Sequence, residues 1–312
     1  MSSAPDRPRI LGIGIACLDH LFVAPRPAPG GQSPLRAHLV HGGGLIGTAL
    51  VAAARLGAAT EIWCWVGDDA EGELVIAGLR QEGVDARYVQ MIPGARTPLS
   101  FIHVEEDSGE RTIFHGPRLE VPRELVEGLA ERPLECDVLL VDAVWPAASR
   151  AVAKRARTTG VPVVGDFCPD SAPADLTRLV TALIVPSGCA ARLAPDASRE
   201  EQLCTLARMG PGFVAVTAGA EGCYYLREGR IAHQPSFSVP VVDTTGAGDV
   251  FHGAFAYALA RHWPTCECVE FASAAAALSC RALGGRTAAP SLAEVVACLQ
   301  EQGSDLWLSF RE

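Results

Sequence analysis

The stretch VVDTTGAGDVFHGAF, residues 241–255, sets Asp243 and Asp249 on either side of a small-residue run, Gly246, Ala247 and Gly248, directly before an apolar helical pattern. Residues 239–242 read as the end of a strand and residues from Val250 as a helix, which puts the run at a helix N-terminus. Free N–H groups and the positive end of the helix dipole make such a place an anion site. Glycine lets an anion come against the main chain without a Cβ clash. A carboxylate there repels what the site attracts, unless it acts on a proton. Asp249 therefore reads as a general base that takes the proton of a hydroxyl while the N–H groups hold charge on a migrating phosphoryl group. Taken alone, the GAGD tetrapeptide leaves a plain helix-capping aspartate equally open.

The elements that must position these residues alternate along the chain. RILGIGIACLD reads as a strand ending at Asp19, RAHLVH as a short strand of mixed polarity, GTALVAAARLGA as a helix closed by Gly57, TEIWCWVGDD as a strand, and EGELVIAGLRQEG as a helix stopped by Gly83. TPLSFIHVEEDSGERTIFHG has the form of a β-hairpin with EEDSGE as its turn. From about residue 136 the apolar strands CDVLLVDAV, VPVVGDFC, ALIVPS and GFVAVTAG are separated by helical segments, which indicates a parallel sheet covered on both faces. GCYYLREGRIAHQPSF returns to an antiparallel hairpin, and helices follow the 241–255 stretch. Segments 20–41 and 97–118 fall outside the βα rhythm. They are expected to form a small sheet, a lid, on one domain spanning 1–312.

With 312 residues, nearly half of them apolar, the chain can bury a sizeable core. A formal net charge of -10 argues against general nucleic-acid or anionic-membrane binding, while leaving room for a local phosphate pocket. No apolar run is long enough to span a bilayer, and MSSAPDRPRI lacks the apolar stretch of a secretion signal. The expectation is a cytoplasmic protein whose eleven cysteines are reduced and mostly buried.

DTTGAGDVFHGAF resembles the C-terminal signature of the PfkB, or ribokinase-like, carbohydrate kinases. GGGLIGTALVAAARLGA resembles the family's N-terminal signature, VTAGAEGCYY its nucleotide-side turn, and SCRALGGRTAAP the loop closing over the adenine side, in matching order from about residue 10 to 300. The resemblance implies an α/β fold, a three-layer α/β/α sandwich with a mostly parallel central sheet and a small β lid. It implies transfer of the γ-phosphoryl group of ATP to a hydroxyl of a small sugar of keto-hexose, sulfofructose or pentose type. Asp249 matches the base, and Gly246, Ala247 and Gly248 the anion hole. Asp19, Gly43 and Gly44 match the sugar side, Thr217, Gly219, Gly222 and Gly285 the nucleotide side, and Asp243 and Thr245 positions beside a potassium-like ion (K⁺). Mg²⁺ would arrive with ATP, bound mainly to phosphates and water. The exposed lid sheet offers an edge for pairing with a second subunit, a homodimer.

The pattern departs from the family in two places. Gly47 stands where many members carry an Asn that contacts the sugar, and IVPSGCAARL offers Ser187 and no acid where the family orients magnesium waters. The triple-glycine turn, His252 and the CRALGGR loop most resemble the sulfofructose kinase branch. The positions aligned with that branch's sulfonate contacts are Gln32, His115 and Val144, none of them Lys or Arg. A fixed anion wants a cation or several donors, so the expectation leans to a neutral or differently substituted keto-sugar, with Arg36 and Arg118 supplying charge only if turned inward. His252 reads as sugar-facing or as a core polar contact, Arg281 and Arg286 as reaching ATP phosphates or as solvated loop cations, and Asp166 as orienting magnesium waters or capping the next helix. GGGLIG, residues 42–47, also satisfies a dinucleotide fingerprint with Asp68 about 20 residues on, which would make the chain an NAD-dependent oxidoreductase. RAHLVH is too polar for the buried strand that reading needs. A non-catalytic homologue is the other rival, and Asp249 beside an intact GAG run argues against it.

Overall fold

The computed structural model describes residues 7–26, 29–107 and 111–310; residues 1–6 and part of the EEDSGE turn lie outside the described residues. The strands are β1 Arg9–Ile13, β2 Cys17–Ala24, β3 Ala37–Gly43, β4 Ala59–Gly67, β5 Val84–Ile92, β6 Leu99–Glu105, β7 Arg111–His115, β8 Val138–Asp142, β9 Val163–Asp166, β10 Ala182–Pro186, β11 Phe213–Thr217, β12 Cys223–Arg227 and β13 Arg230–Gln234. The helices are α1 Leu45–Arg55, α2 Ala70–Gln81, α3 Arg123–Glu127, α4 Pro146–Thr159, α5 Ala174–Leu179, α6 Ser187–Leu193, α7 Arg199–Arg208, α8 Ala247–Ala260, α9 Thr265–Ser279 and α10 Leu292–Glu301.

Nine strands form the central sheet in the order β13-β12-β11-β10-β9-β8-β1-β4-β5. Neighbours run parallel from β11 across to β5, and β12 and β13 add an antiparallel edge. The strands VLLVD, VVGD, ALIVP and FVAVT are buried almost throughout, as parallel strands between helical layers must be. On one layer α8 packs against both α1 and α9. Gly253 permits that approach: a Cβ there would lie 2.1 Å from the carbonyl oxygen of Ala49. The crossovers diverge on either side of β1, towards β4 in one direction and β8 in the other. The carboxyl ends of β1 and β8 therefore open the crevice where such sheets place ligands.

The lid is a separate four-stranded sheet in the order β3-β2-β6-β7, with Leu21, Ile102 and Val104 as its own small core. The expected hairpin is β6 and β7, paired antiparallel. RILGIGIACLD proves to be two strands rather than one. β1 stays in the central sheet, and residues 14–16 carry the chain into lid strand β2. Gly14 fits this crossing because a Cβ would lie 2.3 Å from Oδ2 of Asp142. Asp19 thus sits within a lid strand, not at the end of a central one. Residues 239–242 form no strand either. Their main chain turns to the loop after α9, with Val242 N donating to the Cys280 oxygen at 2.8 Å.

The adjacent parallel strands β9 and β10 bring Cys168 and Cys189 together just past their carboxyl ends. They form a disulfide with a Cα–Cα distance of 5.8 Å. The expectation of reduced cysteines fails at this pair; the other nine are free. Among the described residues no helix is long and apolar enough to cross a membrane.

Candidate active site

Acidic side chains gather at the carboxyl edge of the central sheet. Asp142 ends β8 fully buried and accepts from Ile15 N at 2.6 Å and Val144 N at 2.9 Å. It braces the passage from β1 to the lid, and burial pushes its pKa up to about 7. Asp166, its register partner at the end of β9, is likewise pushed to about 7 by burial. Its Oδ2 lies 3.4 Å from Nδ1 of His252. His252 is buried in α8, with Nδ1 2.8 Å from the Gly248 oxygen and Nε2 3.2 Å from the Ile184 oxygen. Of its two readings, the structure places it as the core polar contact, tying the first turn of α8 to β10. Burial pulls its pKa down.

Helix α8 begins at Ala247, with Gly246 as its N-cap and no side chain supplying a cap hydrogen bond. Asp249 in the first turn is therefore not the cap. Burial first, and then repulsion from Asp166 and Asp19, push its pKa well above the ordinary carboxylate value, against the pull of His252 and Arg286. A carboxylate tuned upwards in the first turn of a helix suits a general base. Gly246 takes the left-handed conformation, φ 73°, and its missing Cβ would lie 2.6 Å from Cα of Gly285. Asp243 fixes the loop in front. Its Oδ1 accepts from Thr245 N at 2.9 Å and Thr245 Oγ1 at 2.7 Å, and its Oδ2 accepts from Gly284 N at 2.9 Å.

A cavity of about 730 Å³ runs from the turn after β11 to the start of α8, and its lining includes Thr217, Gly219, Gly222, Ala247 and Gly248. Gly285, grouped with the nucleotide turn from sequence, does not line it and lies against Gly246 instead. Arg111 also lines the cavity, and its Nη1 donates to Thr244 Oγ1 at 2.6 Å. Sequence reasoning missed this cation, because nothing local shows that β7 of the lid reaches the 243–249 loop.

On the lid, cross-strand register aligns His41, Asp19, Ser100 and His115 in one row, and directly opposed residues share a face. Asp19 is buried while His115 is exposed. Gln32 lies outside the row, exposed in the β2–β3 connection. Gly43 leaves room for the Asp19 carboxylate, since a Cβ would lie 2.0 Å from its Oδ2. Gly44 is in a left-handed conformation, with space for no side chain beside the Ile15 oxygen. Arg36 pairs with Glu106 at 2.9 Å, Arg118 is exposed, and Arg281 pairs with Glu294 at 2.9 Å. Arg286 is neither a solvated loop cation nor a lining residue of the cavity. It is buried beneath the Gly42–Gly47 turn, with Nη2 donating to the Gly43 oxygen at 2.6 Å.

Residues 8–292 match the family pattern described as pfkB family carbohydrate kinase. The chain belongs to this family. As a carbohydrate kinase it is a phosphotransferase acting on a sugar hydroxyl. It is 27% identical over 297 residues to the ribokinase of Haemophilus influenzae, covering 92% of this chain and 97% of that one. It is 30% identical over 281 residues to mouse ribokinase, covering 82% and 86%. The crystal structure of ribokinase from Thermotoga maritima superposes with a TM-score of 0.78 at 26% identity, covering 93% of this chain and 99% of that one. Arabidopsis thaliana ribokinase, solved with ribose and ATP, shares the fold with a TM-score of 0.79 at 24% identity, covering 94% and 99%. The three-layer α/β/α architecture with its small lid sheet is thus that of the ribokinases.

The dinucleotide reading of this kinase fails on topology. Its glycines follow β3, which pairs antiparallel with β2 in the lid, whereas the fingerprint needs a parallel strand of a nucleotide-binding sheet. Asp68, the acid that reading requires, accepts from Gly94 N at 2.9 Å on the far side of β4.

Proposed function

We propose that this kinase transfers the γ-phosphoryl group of ATP to a hydroxyl of a small sugar, of keto-hexose, sulfofructose or pentose type, held between the lid and Asp249. The supporting observation is the continuity of the cavity, which joins the Thr217–Gly222 turn to the start of α8 at Ala247 and Gly248, a helix end with no side-chain cap, with Asp249 next in the helix. ATP bound along it would bring its phosphates to the α8 N-terminus, where Arg111 adds positive charge. Asp249 takes the hydroxyl proton as the acceptor oxygen attacks phosphorus. Asp19 receives the sugar's other hydroxyls, and closure of the lid keeps water from competing. The Arabidopsis ribokinase complex with ribose and ATP is consistent with this pairing of ligands.

Mg²⁺ accompanying ATP would supply charge neutralisation on the phosphates. Among the described residues no group of three or more His, Cys, Asp or Glu side chains is placed to hold a metal ion, which suits a metal held mainly by phosphates and water. Both carboxylate oxygens of Asp243 already accept hydrogen bonds within the protein. Asp243 and Thr245 would help to hold a K⁺ ion there, since a carboxylate oxygen that accepts one hydrogen bond keeps a lone pair for a cation. Exposed Val40, Phe101, Ile113 and Phe114 on the lid strands support a homodimer through the lid, and the nine free cysteines suit a cytoplasmic protein.

Coupled detection of ADP release across a panel of neutral and acidic sugars tests the reading. ADP formed only when ATP and one of the sugars are both present supports it, and no sugar-dependent ADP with any of them contradicts it. The acid limb of kcat/KM should reflect the ionisation of Asp249 and so lie above the ordinary carboxylate range, activity rising with pH. Asp166→Asn removes a neighbouring negative charge and should move that limb to lower pH. A limb unmoved in the variant would show that the two carboxylates are not coupled.

A further inference from the structure

The Gly42–Gly47 turn is shaped around a cation. Arg286 is only 5% exposed. A Cβ at Gly42 would lie 2.1 Å from its Nη1, and one at Gly47 2.4 Å from its Nη2. Nη2 donates to the Gly43 oxygen at 2.6 Å and Nε to Thr48 Oγ1 at 3.3 Å. Among the described residues Nη1 donates to no atom and the guanidinium forms no ion pair. Asp19, Glu82 and Asp249 act on it only through longer-range attraction. Burial pushes its pKa down, yet a guanidinium stays charged in proteins. Buried charges are almost always paired. The same Gly43 whose oxygen accepts from Nη2 leaves the space that the Asp19 carboxylate fills, which sets Arg286 and Asp19 on one turn.

We propose that Arg286 is a specificity-determining residue that pairs with an anionic substituent on the sugar (a sulfonate, phosphate or carboxylate), so that this kinase prefers acidic sugars to neutral ones. The proposal rests on the reading of Asp19 and Asp249 as the sugar side of the site. It reverses the lean to a neutral keto-sugar drawn from Gln32, His115 and Val144, because the charge comes from the 280–286 loop instead. A bidentate-capable guanidinium matches all three anionic groups, and Asp19 beside it would accept the neighbouring hydroxyls.

The test measures kcat/KM with ATP for matched sugars: fructose, its 6-phosphate, its 6-deoxy-6-sulfo analogue, and a six-carbon keto acid. At least one acidic sugar should exceed fructose by tenfold or more, and which one identifies the group. Arg286→Gln should collapse that acidic-to-neutral ratio by tenfold or more, mainly through KM, and Arg286→Lys should restore part of it. Fructose preferred by the wild type, or a ratio unchanged in Arg286→Gln, overturns the proposal. If Arg286→Gln fails to fold, the wild-type ratio decides. If no sugar yields ADP, the kinase reading itself falls, and thermal shift decides the pairing. An acidic sugar that raises the Tm of the wild type, raises that of Arg286→Lys less, and leaves that of Arg286→Gln unmoved upholds it; the same shift in all three, or none in any, overturns it.

Discussion

Asp249→Asn is expected to lower kcat by roughly a hundredfold or more, the scale of a positioned general base, while ATP affinity measured by calorimetry stays within a few-fold of wild type. The substitution keeps the shape of the side chain and removes its ability to accept the proton. What separates a base from a structural carboxylate is the accompanying change in stability. Asp249 titrates well above its ordinary value in the folded chain, because burial and Asp166 disfavour its charge. The folded state therefore binds the proton more tightly than the unfolded state. That contribution is fully present below the unfolded pKa and is lost as pH rises through the folded one. Once it ionises in the folded state the carboxylate costs stability, and Asn removes that cost. Lost turnover with an equal or higher Tm is the expected signature. A variant with lost turnover and a lower Tm would point to a structural role.

Gly246→Ala should be nearly as damaging by a different route. Position 246 is in the left-handed region, which costs an ordinary residue about 1–2 kcal/mol. The added methyl would also meet Cα of Gly285 at 2.6 Å and its oxygen at 3.0 Å. Neither contact is a flexible side chain, so the loop or helix start must move, and the amides of Ala247 and Gly248 move with it. Losing one well-aimed donor typically costs 10²–10³ in rate, and kcat is expected to fall on that scale. Gly78→Ala, in α2 and away from the cavity, is the comparator, because a methyl there meets no protein atom within 4 Å. If steady-state assays show Gly246→Ala with wild-type kcat, the helix start does not position the phosphoryl group.

The parts of the molecule that were readable in the sequence are those whose information is local. The buried strands β8 to β11 announce themselves as apolar runs, since both of their faces are covered. The 243–249 string sets glycines directly before a helical pattern, next to each other in the chain, and α8 does begin there. The turn after β11 and the amides of α8 were assigned to one ligand, and they line one cavity. Nonlocal arrangements were not readable. The β1–β2 break hides in one apolar run, because both halves are buried in different sheets. β5 is only partly buried, so its alternation is weak. Arg286 and the Gly42–Gly47 turn are about 240 residues apart, and only folding shows that the glycines make room for its guanidinium. The same holds for Arg111, which meets Thr244 from a lid strand, and for Cys168 and Cys189, which join across neighbouring strand ends. His252 was ambiguous because a buried histidine and a ligand-facing one look alike until the carbonyls of Gly248 and Ile184 are seen on its two nitrogens.

The most direct measurement is a crystal structure of the kinase with a phosphorylatable sugar and a non-hydrolysable ATP analogue. In the proposed mechanism the γ-phosphate lies against the amides of Ala247 and Gly248, and the acceptor hydroxyl within about 2.6–3.2 Å of an Asp249 carboxylate oxygen. A triphosphate seated away from those amides, or an Asp249 side chain with no sugar hydroxyl in reach, would contradict it.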